Sequence, residues 1–169
     1  MTKFFLTLHV LAAIIAVGPV TVAASMFPAT LRRAQADPQD AAAIASLRLL
    51  QRICSVYAFV GVAVPVTGFA TASSLHVLGS AWLIASIILT MAAAVVLIVL
   101  VLPRQEAALD AVTGEGGDGA GSQLVDGRGA VAVGERASTQ LAMYTGVFNL
   151  LWAAVTVLMI IRPGSTTGA

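Results

Sequence analysis

Four stretches of this chain are long, apolar and free of Asp, Glu, Lys and Arg: residues 4–29, 53–72, 77–102 and 141–161. They constrain the fold more than any other feature. A bilayer hydrocarbon core about 30 Å thick needs roughly 20 apolar residues per helix. Open backbone structure is too costly in lipid, because its polar groups stay unsatisfied. Barrel strands would be about ten residues long and would alternate apolar with polar, which these stretches do not. The expected fold is all-α, a four-helix integral membrane bundle forming one domain over residues 1–169. Composition agrees, with 59% hydrophobic and 10% charged residues, against about 25% charged in soluble domains. A water-soluble globular chain and a disordered one are both excluded. The run after Lys3, closing on Val22-Ala23-Ala24-Ser25, resembles a secretory signal. It is longer than the roughly 7–15 residues of a signal core, and it reads as a retained first helix.

The basic residues set the expected orientation. Four spans place both termini and the short 73–76 connection on one side, with Lys3 and Arg162. Arg32, Arg33, Arg48, Arg52, Arg104, Arg128 and Arg136, seven of the nine, fall on the other side. Basic residues near helix ends favour the cytoplasm, so both termini are expected outside a bacterial inner membrane. All eight acidic residues also lie on the cytoplasmic side in this scheme.

The connections carry further signals. Asp37-Pro38-Gln39-Asp40 reads as a helix start, with Asp37 as N-cap and Pro38 at the first helical position. From Ala41 to Gln51 no residue breaks the helix, so the second helix should project into the cytoplasm. Ile44, Leu47 and Leu50 share one face and Arg48 and Arg52 another. Those arginines either snorkel to lipid headgroups or present a docking surface to a partner. Residues 105–112 could extend the third helix by two turns. Residues 113–135, rich in glycine and acids, read as a flexible cytoplasmic loop.

Few residues could carry chemistry. Gly114-Glu115-Gly116-Gly117-Asp118-Gly119 matches G-x-G-x-x-G, but no strand precedes it, as a dinucleotide site requires. The single cysteine, Cys54, rules out an internal disulfide and a structural zinc cluster. A net charge of +1 exerts no strong pull on nucleic acid. No span holds a carboxylate, so the usual relay of an ion-coupled transporter is missing. His9 and His76 sit toward the same outer side and are the candidate metal or haem ligands. The other reading gives His9 a hydrogen bond to a neighbouring helix and leaves His76 in a solvated loop. Asn149 is the strongest polar residue within a span and needs a partner helix. Pro19, Pro65, Gly18, Gly61 and Gly68 imply kinks and close packing. Trp82 is placed at the outer interface, with Tyr57 and Tyr144 at the inner one.

The run Leu8-His9-Val10-Leu11-Ala12-Ala13-Ile14-Ile15-Ala16-Val17-Gly18 resembles the opening of small bacterial membrane proteins related to the CopD-like (copper resistance D) family. In these a histidine is followed nine residues later by glycine, as His9 is by Gly18. Ala16 stands where the family has tryptophan. Gly79-Ser80-Ala81-Trp82-Leu83 resembles a later helix start in uncharacterised relatives. The resemblance implies a four-helix membrane protein and does not bring copper handling with it, since one candidate ligand matches.

The expected function is that of a non-catalytic accessory subunit, without a cofactor, in a larger membrane complex such as a multisubunit MCE-type lipid transporter. Its partners would be the bilayer and other integral membrane proteins, met through Asn149, Arg48 and Arg52. The alternative is a haem- or copper-binding CopD-like protein using His9. A small independent transporter or channel is the third class, with little polar lining available to it.

Overall fold

The computed structural model describes residues 2–114 and 127–164, with side chains over 3–114 and 134–164. Its helices are α1 (Thr2–Ala36), α2 (Ala41–Val60), α3 (Ala63–Leu75), α4 (Ala81–Val95), α5 (Leu102–Thr113) and α6 (Gly127–Ile161), with a π-helical segment, Val96–Val101, joining α4 to α5. They make four rods long and apolar enough to cross a membrane: Lys3–Ala36, Ala41–Leu75, Ala81–Thr113 and Gly134–Ile161. All regular structure among the described residues is helical. The chain is built as a multi-pass membrane protein.

Each rod outlasts its apolar stretch. Around the apolar stretches 4–29, 53–72, 77–102 and 141–161 the helices continue, as expected for residues 41–51 and 105–112, and also beyond Ala29 and before Leu141. The contacts Cys54–Gln105, Arg104–Tyr144 and Thr145–Ala24 fix a common level across the bundle. Beyond it each helix continues for about ten residues, some 15 Å. That extension is a folded lobe with its own interior. Leu31 and Ala34 of α1, Ala43 and Leu47 of α2, Ala108 of α5 and Leu141 of α6 are buried in it.

The α1–α2 turn corrects the expected helix start. Asp37 is not the N-cap of α2; its Oδ1 accepts from Gln39 N–H at 3.0 Å and shapes the turn. Asp40 caps α2 instead, accepting from Ala43 N–H at 3.0 Å. The physical reason is Pro38, which pushes Asp37 out of helical geometry and ends α1 at Ala36. The next acid then takes the cap. Arg33 Nε donates to Asp40 Oδ2 at 2.9 Å, closing the hairpin.

Proline accounts for two breaks. Pro65 cannot donate to the Gly61 carbonyl, which accepts from Val64 N–H at 3.1 Å instead, and α2 yields to α3 there. Pro28 likewise frees the Ala24 carbonyl within α1, and Thr145 Oγ of α6 approaches it at 3.5 Å. Ahead of Pro103 the helix widens into the π segment, with Leu102 N–H bonded to Leu97 O. His76 ends α3 in the left-handed region, φ 57°, and the turn that follows delivers the chain to Ala81.

The glycine-rich connection also differs from expectation. Gly114 closes α5 at φ 69°, and residues 127–135 lie in α6 rather than in the loop expected over 113–135. Residues 115–126, with most of the G-x-G-x-x-G match, lie outside the described residues.

Candidate functional site

The end of the bundle nearest the termini is hollow. There α3 packs on α1 and α4 packs on α6. α3 and α4 meet at their connecting turn, where Ala72, Trp82, Leu83 and Val77 cluster. Between these two pairs lies a cavity of about 1420 Å³, lined by all four rods. In the other half of the bundle one continuous core joins Val20, Phe27, Leu47, Val101 and Phe148.

His9 stands in the cavity wall and is 8% exposed. Its Nδ1 lies 3.1 Å from Val64 O and 3.3 Å from Thr67 Oγ1. A carbonyl only accepts, so Nδ1 carries a proton. Gly68 makes the approach possible, because a Cβ there would lie 2.9 Å from His9 Cε1. Thus α3 presents a glycine and a carbonyl to one imidazole of α1. Nε2 has no hydrogen-bond partner among the described residues.

Three of the cavity's hydroxyls are turned to their own helices. Thr71, Ser86 and Thr156 hydroxyls donate to the carbonyls of Thr67, Trp82 and Trp152 on their own helices. At the mouth, Arg162 (φ 45°) follows the end of α6. Its Nε donates to Met159 O at 3.3 Å, and its guanidinium lies 5.7 Å from the Trp82 ring centroid.

The structure does not bring His9 and His76 together. His9 packs on Gly68, and His76 caps α3 eight residues further on, about 12 Å along the helix. His76 is exposed. Among the described residues no three His, Cys, Asp or Glu side chains gather as a metal site would need. Asn149 donates from Nδ2 to Ser25 Oγ of α1 at 3.2 Å, while its Oδ1 is buried with no partner among the described residues. Arg48 and Arg52 are exposed on the lobe part of α2. Of the expected packing glycines, Gly68 is in close contact, whereas a Cβ at Gly18 would meet open space.

Sequence reasoning did not find the cavity or the Arg162–Trp82 pair at its mouth. The available signal was Trp82 at one membrane interface with an arginine ending the last span on the same side. What the geometry defines is a helical, multi-pass membrane protein, tightly packed in one half and open in the other. No family model, curated protein or solved structure matches the chain.

Proposed function

We propose that this protein is a non-catalytic accessory subunit of a larger complex in the bacterial inner membrane, with both termini outside and the lobe in the cytoplasm. The lobe is the observation that supports this reading. Four helices carry a packed interior about 15 Å past the level of the Cys54–Gln105 contact, and α2 displays Leu49, 59% exposed, between Arg48 and Arg52. An apolar residue flanked by exposed cations, on a helix held rigid from behind by Leu47 and Leu50, suits an apolar and acidic partner surface. The transmembrane faces serve equally as helix–helix contacts.

The test is recovery of partners from native membranes in mild detergent. Arg52→Glu should cut copurification several-fold with helical content and melting temperature unchanged, and adding Arg48→Glu should cut it further. His9→Ala should leave recovery intact. A protein that runs alone and carries stoichiometric haem or copper, lost in His9→Ala, overturns the subunit reading in favour of metal binding.

A further inference from the structure

The cavity wall on α1 extends from Leu6 to Gly18, about 18 Å of helix rise, which matches the roughly 15 Å of one leaflet's hydrocarbon. Its volume of about 1420 Å³ exceeds the roughly 300–1,000 Å³ of ordinary small-molecule pockets. Left empty, such a space forfeits dispersion contacts along every wall. Water finds few partners there: the Thr71, Ser86 and Thr156 hydroxyls already donate to backbone carbonyls, and the lining is otherwise mainly apolar apart from His9, Thr90 and the mouth. Surrounded by bilayer, the walls suit acyl chains.

The mouth adds a charge. The two terminal nitrogens of Arg162 have no hydrogen-bond partner among the described residues, and its one hydrogen bond runs through Nε. The acidic residues among the described ones, Asp37, Asp40, Glu106, Asp110 and Glu135, all belong to the opposite end. Among the described residues no acid faces Arg162, which holds its cation over Trp82 at the rim of an apolar hollow one leaflet deep. We propose that the cavity is a binding site for an anionic membrane lipid, with its chains between the four rods and its phosphate on the Arg162 guanidinium. This site lies in the membrane half opposite the lobe and stands whether or not a partner docks there.

The two tryptophans of the chain, Trp82 and Trp152, both line the cavity, so their fluorescence reports its contents. The full-length protein in detergent is titrated with phosphatidylglycerol or phosphatidylcholine bearing the same brominated chains. Both should quench at saturation, with phosphatidylglycerol binding about three- to fivefold more tightly, the size of a part-exposed ion pair. Arg162→Gln should equalise the two lipids without lowering maximal quenching. Ala13→Phe, projecting a ring into the hollow from α1, should reduce quenching by both. Thr90→Phe repeats that test from α4 should Ala13→Phe lose its helical signal. Equal affinity of the parent for the two lipids, or parent-like quenching in a folded Phe variant, overturns the proposal. Competition by inorganic phosphate would mark a free-anion site instead. Concentration-dependent dimerisation that displaces lipid would assign the hollow to a second copy of the chain.

Discussion

At the scale of single residues, the membrane environment raises the stakes of each polar atom, and three positions show how this chain handles them. His9 has its imidazole satisfied by Val64 O because Gly68 leaves room beside it. Gly68→Ala should push the ring into the cavity and lose that bond, lowering stability by about 1 kcal/mol. In a His9→Ala background the same substitution should be neutral. Unfolding of the four variants in detergent measures this coupling, and additive effects would mean that the ring and Gly68 do not touch. Gln105 is the opposite case. It is fully buried, its Nε2 has Cys54 Sγ at 3.7 Å, and its Oε1 has no partner among the described residues. A buried acceptor left unpaired costs roughly 1–3 kcal/mol. Gln105→Met, nearly equal in volume, should therefore raise the melting temperature, and a fall would reveal a hydrogen bond made in the membrane. Asn149 lies between these two, with one half of its amide paired to Ser25 and the other half not. A polar residue in a span announces itself in the sequence. Which helix answers it depends on register, and neither the Gly68 approach nor the Ser25 hydroxyl could be assigned from spacing alone.

At the scale of elements, the number of apolar spans was legible, and so were the helical stretch of α2 over residues 41–51 and the two extra turns of α5, whereas the extension of α6 back through residues 127–135 was not. Hydropathy falls where the arginines begin, but the helices continue, because in the lobe they bury one face against each other. Leu47 and Leu50 mark that face on α2, and Phe27, Leu31 and Ala34, spaced four and three apart, mark it on α1. Two acids competed for the α2 cap, and Pro38 decided between them. Asp40 is held below the ordinary aspartate range, first by the Ala43 N–H and then, against the opposing effect of desolvation, by Arg33. Its folded pKa is depressed, so its contribution to stability is present above the unfolded value and is lost as pH falls through the lowered one. Acid titration of the melting temperature should show that loss in the parent and a flatter acid limb in Asp40→Asn. An identical acid limb in both would remove the cap and ion pair from the stability of the hairpin.

At the scale of the whole molecule, the bundle is solid at its arginine-rich end and hollow at the end nearest its termini. Pairing explains the contrast. In the solid half α2 reaches both α1 and α5, and α6 reaches α1 and the π segment; in the hollow half α3 keeps to α1 and α4 to α6. No hydropathy pattern encodes such a change of partners, since the same apolar residues suit lipid, a neighbouring helix or a cavity wall. Charge does distinguish the two ends, and the proposed topology rests on it. Lys3 and Arg162 flank the hollow end, while seven basic residues flank the solid one, several of them next to helix termini. The turn residues Gln39 and Gly79 are exposed at opposite ends of the bundle, and Cys54, the native thiol, is buried. An impermeant maleimide applied to intact cells should therefore label Gly79→Cys and reach Gln39→Cys only after the membrane is opened. Arg32→Glu with Arg33→Glu should produce a mixed population by weakening the bias, since Arg48, Arg52, Arg104 and Arg136 still oppose export of that end. Labelling of both cysteines from outside would break the four-span arrangement itself. Labelling of Gln39→Cys alone would keep the fold and invert it, placing the lobe outside the cell and the hollow in the inner leaflet.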